Sequence, residues 1–173
     1  KPATADLTQS TAMVQELLKL RYSSPLFRLR TAQDVINRVS FFNNGPNQLP
    51  GLIVMRLSDG VQPDLDPALD QIVVLVNAND EAQTFTDATF AGADLSLHPI
   101  QANGVDAVVK TATFNAATGA FTIPARTTAV FSDVRLVARS RRFNVDRDTF
   151  LNGAQPGAYY GNAQTMWAGF FSQ

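Results

Sequence analysis

Four aspartates crowd one stretch of the sequence, Asp59, Asp64, Asp66 and Asp70, and a loop offering several carboxylate oxygens is the kind of site that calcium favours. The spacing lacks the tight alternation and the glycine of an EF-hand loop, however, and Pro63 and Pro67 point instead to a solvated connection. A second pair, Asp146 and Asp148, brackets Arg147 close to Arg139, Arg141 and Arg142, so charge pairing within a linker explains it more simply than acid–base work does. His98 is the one histidine and there is no cysteine, which excludes a cluster of histidine ligands, a thiolate site, a disulfide and a cysteine nucleophile. Ahead of Pro99, His98 reads as a structural residue at a strand end. No glycine spacing opens a helix in the manner of a phosphate-binding loop. Tyr159, Tyr160 and Trp167 remain as candidates for carbohydrate binding, because flat rings stack on the apolar face of a sugar; burial in a second β module is the competing explanation. No residue set qualifies as catalytic, and none as a metal site.

The elements that carry these residues follow from composition and pattern. With 173 residues, 45% of them apolar and 17% charged, the chain can close one hydrophobic core and carry some appendages. Fourteen basic against fifteen acidic side chains leave a net charge of -1, so there is no field to hold a nucleic-acid backbone. The apolar run from Ile72 to Val76 is typical of the longest present and falls far short of the roughly 20 residues of a membrane span. The chain opens on Lys1 without an initiator Met, and a longer parent polypeptide is the expectation.

One helix is predicted, from Asp6 to Arg21, where Met13, Val14, Leu17, Leu18 and Leu20 recur at spacings of three and four and give an apolar stripe. Asp6 with Gln9 resembles a capping box, with Thr8 or Ser10 as alternative caps, and Pro25 stops the helix. Beyond Leu29 short β-branched and aromatic runs alternate with Gly, Pro, Asn and Asp, the pattern of a mainly β protein built as an antiparallel β-sandwich of about eight strands. The predicted strands are residues 35–42, 52–57, 72–77, 83–85, 94–97, 107–114, 119–123 and 128–134. Hairpin turns are expected at Asn43–Asn47, Ala102–Gly104 and Ala117–Gly119. Ile72 to Val76 has no polar face and should be a central strand covered on both sides. The division is then residues 1–30 for the helix and its connection, 31–137 for the sandwich, and 138–173 for a basic linker and the incomplete start of a further β module.

The segment Gln15-Glu16-Leu17-Leu18-Lys19-Leu20-Arg21-Tyr22-Ser23-Ser24-Pro25-Leu26-Phe27 resembles the last helix of the catalytic barrel in the α-amylase family, glycoside hydrolase family 13. In order, Arg38–Gly45, Gly51–Met55, Asp70–Ala78 and Phe121–Phe131 extend the resemblance to the C-terminal domain of pullulanase-type α-1,6-glucosidases, covering roughly Pro2 to Val134. That resemblance implies a parent enzyme that hydrolyses α-1,6 branch points in pullulan, amylopectin or limit dextrin. The retaining mechanism needs a carboxylate nucleophile and a carboxylic acid about 5 Å apart on a barrel rim, and no segment here matches their motifs. The chain is thus expected to be a non-catalytic domain that closes and stabilises the barrel. Met13, Val14, Leu17, Leu18 and Leu20 would dock on the upstream barrel, and an independent α-glucan-binding module is the alternative. No cofactor is expected in the chain itself, calcium has room in the parent, and an extracellular or cell-surface parent is implied. Val145–Gly153 and Tyr159–Phe170 resemble the opening of a DNRLRE-like β-sandwich module of secreted and cell-surface proteins.

Overall fold

The computed structural model describes residues 2–133, and Lys1–Arg135 form one compact unit. Eight strands alternate inward and outward side chains, as a half-buried strand must, and pair entirely antiparallel in two sheets. In chain order they are β1 (Val39–Phe41), β2 (Leu52–Ser58), β3 (Gln71–Asn77), β4 (Gln83–Thr86), β5 (Ser96–Leu97), β6 (Thr113–Asn115), β7 (Ala120–Ile123) and β8 (Thr127–Ser132). A five-stranded sheet runs β1-β2-β3-β8-β5, and a three-stranded sheet runs β4-β7-β6. The expected sandwich is therefore present.

Between the sheets lies a hydrophobic core of Leu52, Val54, Val73, Leu75, Phe85, Phe121, Ile123 and Phe131, with Phe90 and Val109 from the connections. Its aromatic rings meet at tilted and edge-on angles, Phe42 to Phe90 at 4.7 Å, Phe90 to Phe121 at 5.1 Å and Phe121 to Phe131 at 5.3 Å between centroids. Such pairs add about 0.5–1.5 kcal/mol each beyond the area they bury. The other face of the five-stranded sheet carries a second core, in which Leu57, Ile72 and Val130 meet Leu20, Leu26 and Leu69. β3 supplies both cores, Val73 and Leu75 inward and Ile72 outward, which is the two-sided burial that its unbroken apolar run predicted.

Helix α1 spans Thr4–Ser23 and starts earlier than its polar residues suggest. Its N-cap is Ala3, with no side-chain cap, so the Asp6–Gln9 box is not used. Thr8 and Thr11 instead turn their hydroxyls back to the carbonyls of Thr4 and Leu7, at 2.9 and 2.8 Å. Ser24, fully buried, accepts from Leu26 N–H at 3.1 Å and caps the single turn Pro25–Arg28 that leads onto the sheet.

Three expectations are corrected. Residues 35–38 are not strand: α2 covers Ala32–Arg38, because Thr31 accepts from Asp34 N–H at 3.0 Å and donates to the Asp34 carboxylate at 2.6 Å, a cap that outweighs two β-branched residues. Residues 107–114 do not form one strand, since Asp106 accepts from Val108 N–H at 2.8 Å and folds the chain into a turn at Val109–Thr111 before β6. Ala102–Gly104 ends a short helix, α3 (Pro99–Ala102), rather than closing a hairpin. The turn at Ala117–Gly119 does join β6 to β7. Gly119 has φ +68°, and a Cβ there would lie 2.2 Å from the carbonyl oxygen of Asp87, so both backbone sign and space require glycine.

Candidate docking site on the helix and the outer sheet face

The apolar residues of α1 divide between two sides of the helix. At about 100° per residue Leu20 stands opposite Leu18, and Leu20 is the one turned into the sandwich, only 5% exposed. Around it the inner side of α1 is tied to the domain by polar contacts. Glu16 accepts from Val105 N–H at 2.8 Å, and Ser23, whose hydroxyl donates to the Leu20 carbonyl at 2.7 Å, stands 3.3 Å from Nε2 of His98. His98 caps α3, its Nδ1 accepting from Ile100 N–H at 3.2 Å, so Nε2 carries the proton and donates to Ser23. Burial holds the His98 imidazole below its ordinary value of 6.5, and the neutral ring is what this double contact requires. His98 is thus a buried joint between helix and sheet rather than a ligand.

On the outward side Val14, Leu17 and Leu18 are about half exposed, at 56%, 49% and 51%. With Leu7 and Tyr22, also exposed, Val14 and Leu18 complete a row at residues 7, 11, 14, 18 and 22 in which only Thr11 is polar. Met13, two turns before Leu20 and on the same inner side, is half-buried. Leu7 and Tyr22 were outside the predicted stripe; the repeat at spacings of four and three was the signal that could have found them. Arg28 and Arg21 place their guanidinium groups 4.9 and 5.8 Å from the Tyr22 ring and frame the end of the row.

The acidic stretch is not a solvated loop throughout. Arg38, 1% exposed at the end of α2, pairs with Asp59 and donates to the Pro63 carbonyl. Asp59 in turn accepts from the backbone N–H groups of Leu65 and Asp66, at 2.9 and 2.7 Å. Asp66 accepts from Ala68 N–H at 3.0 Å. This network holds the loop over the outer sheet face, where Leu65 and Leu69 join the second core. Among the described residues no three His, Asp or Glu side chains converge as metal ligands would, and no helix is long and apolar enough to cross a membrane. Tyr159, Tyr160, Trp167, Asp146, Asp148 and the basic linker lie outside the described residues.

Residues 1–134 match the family model described as "Alpha-1,6-glucosidases, pullulanase-type, C-terminal". This chain belongs to that family of C-terminal domains. It is 39% identical over 140 residues to pullulanase 1, chloroplastic, of Arabidopsis thaliana, covering 78% of this chain and 14% of that protein. It is 42% identical over 131 residues to a pullulanase of Klebsiella pneumoniae, covering 75% of this chain and 12% of that protein. Among solved structures, a Klebsiella pneumoniae pullulanase complexed with maltotriose superposes with a TM-score of 0.71 at 41% identity, over 78% of this chain and 13% of the other. PulA from Klebsiella oxytoca superposes at 0.69 with 39% identity, over 78% and 13%. The pullulanase-type C-terminal domain described here therefore spans about one-eighth to one-seventh of the length of these relatives.

Proposed function

We propose that this pullulanase-type C-terminal domain is a non-catalytic part of a starch-debranching enzyme and that it closes and stabilises an upstream catalytic barrel. The outward row of α1 carries the reading: Leu7, Val14, Leu18 and Tyr22, with Leu17 beside them, stay exposed along one helix. Each such side chain contributes about 1.5–3 kcal/mol when fully buried, and a barrel wall is the surface that the helix would meet in a protein seven to eight times as long. The parent would hydrolyse α-1,6-glucosidic bonds, the linkage in the family's description, with pullulan, amylopectin or limit dextrin as the substrates that the sequence resemblance implies, and with the nucleophile and the acid both supplied outside this chain. Its place outside the cell or at the cell surface rests on the resemblance of residues 145–170 to modules of secreted proteins. Calcium in the parent would take its ligands from elsewhere, since the buried aspartates of this domain are occupied by Arg38 and backbone N–H groups.

The test has two arms. The reading frame around the codons of this chain should contain an upstream barrel with its acid and nucleophile motifs, and the purified chain should release no reducing ends from pullulan. In the full-length enzyme Val14→Asp with Leu18→Asp should lower the thermal midpoint of activity while leaving the isolated chain folded. Pullulan cleavage by the chain alone would overturn the proposal. Pullulan affinity lost on Trp167→Ala, with no effect of the helix pair, would replace it with glucan binding.

A further inference from the structure

The outer face of the five-stranded sheet is apolar across β1, β2 and β3, with Thr128, Ser132 and Ser96 facing the same way on β8 and β5, and its apolar part is only partly covered. Its outward rows are set by register: Val39 opposite Leu57 and Phe41 opposite Met55 on β1 and β2, then Ile53 opposite Val76 and Leu57 opposite Ile72 on β2 and β3. Leu20, Leu26 and Leu69 seal the Leu57–Ile72 end. At the other end Phe41 and Ile53 stand 58% and 53% exposed. Together with Leu49 and Val76 they line a groove of about 500 Å³.

We propose that this uncovered end is a second docking surface, separate from α1, and that its occupant is the upstream part of the same polypeptide, presenting apolar side chains. The chemistry of the groove selects hydrocarbon over sugar. Asn43 is consumed by the loop itself, donating to the carbonyls of Leu49 and Leu52 at 2.8 and 2.6 Å and accepting from Leu49 N–H at 2.8 Å. Asn44 donates to the Phe41 carbonyl at 2.7 Å. The Gln48 amide and the Asn44 side-chain oxygen are the polar side-chain groups left at the rim, whereas a ring and three aliphatic side chains form the floor. The upstream part is the chosen occupant because the domain covers only 12–14% of its pullulanase relatives and because the groove opens on the same face of the sheet that already receives the end of α1. A cover over Phe41 also protects β1, which is an edge strand of the sheet. The inference rests on the accessory-domain reading, yet the two can fail separately.

Because the chain has no cysteine, single cysteines report cover directly. In the full-length protein, freed of any native reactive thiol, Phe41→Cys, Ile53→Cys, Leu18→Cys and Thr84→Cys would each be labelled with a maleimide under native conditions. The expected result is labelling at least about tenfold slower at positions 41 and 53 than at the exposed position 84. The slow rates should be independent of protein concentration and unchanged when the chain is cut after Val134. Protection at position 18 with fast labelling at 41 and 53 overturns the second surface and leaves the accessory-domain reading standing, whereas fast labelling at all of them overturns both. Protection that vanishes on dilution makes the occupant a second copy, and protection lost on truncation makes it residues 135–173; either result overturns the upstream occupant.

Discussion

The two sheets of the sandwich turn very different faces outward. The three-stranded sheet presents Thr84, Thr86, Thr113, Asn115 and Thr122, with the hydroxyls of Thr84 and Thr122 meeting at 3.0 Å across β4 and β7. The five-stranded sheet presents Val39, Phe41, Ile53, Met55, Leu57, Ile72, Val74, Val76 and Val130, and turns polar only at its β8 and β5 side, with Thr128, Ser132 and Ser96. None of the large hydrophobic residues exposed among the described residues lies on the three-stranded sheet. Both faces have strand geometry and both share the inter-sheet core, so burial inside the sandwich cannot explain the contrast. Threonine suits a pleated surface that meets water, while continuous aliphatic rows persist only where something covers them. One sheet is finished by solvent; the other is covered in part by α1 and the loop after β2, and by the upstream polypeptide on the proposal made above.

The largest effect is expected where that cover is fastened. Asp59→Ala removes the direct partner of the buried Arg38 guanidinium, leaving it only Asp34 at 3.6 Å, and frees the N–H groups of Leu65 and Asp66. Breaking a buried pair in this way costs about 3–5 kcal/mol, so the urea midpoint of the chain should fall sharply. An unchanged midpoint would show that the outer face does not depend on its loop. Next comes Leu20→Ala, expected at about 2–5 kcal/mol because the side chain fills the second core. Leu18→Ala, one helical face away, should move the isolated chain by no more than about 0.5 kcal/mol. Equal losses at both positions would erase the distinction between the inner and outer sides of α1.

Much of this architecture could be read from the residues. Ile72–Val76 declared a two-faced strand because no polar residue interrupts it, and Gly119 marked a turn that no other residue fits. The α2 segment was misread because Val35 and Ile36 favour strand locally, while the cap that decides the matter is the Thr31–Asp34 pair, a short motif outweighed in a scan by apolar content. Asp59 was misread for a different reason. Its counter-charge, Arg38, is distant in sequence, and only the fold brings the two together. The α1 stripe was half legible: spacing found the apolar residues, but which of them face the sandwich depends on where Ser24 and Pro25 turn the chain.

A smaller effect tests the joint itself. With its ordinary value of 6.5 lowered by burial, His98 is neutral in the fold at pH values where the unfolded chain already binds a proton. As the pH falls below 6.5, stability should decline until the folded-state value is reached, and it should be insensitive to His98 above about pH 7.5. His98→Asn keeps an N-cap acceptor for Ile100 and removes the titration. The difference between wild type and variant across this window isolates His98. Burial also raises the Asp133 carboxyl above its ordinary 3.8, which works in the opposite sense, making stability fall as the pH rises from that value, and is common to both proteins. A pH-independent difference would mean that the ring acts by packing alone.

The smallest effect belongs to the sheet that solvent finishes. Thr122→Val replaces a hydroxyl that meets only Thr84 and water with a methyl group on a half-exposed position of β7. A cross-strand hydroxyl pair is worth about 0.2–1 kcal/mol, and valine recovers part of it through strand propensity, so the midpoint should move by no more than about 0.5 kcal/mol. The result should be the same in the isolated chain and in the full-length protein, because nothing is required to cover this face in either. A loss that appears only in the full-length protein would place a partner on the threonine face, and the contrast between the two sheets would then reflect two different partners rather than a partner on one side and water on the other.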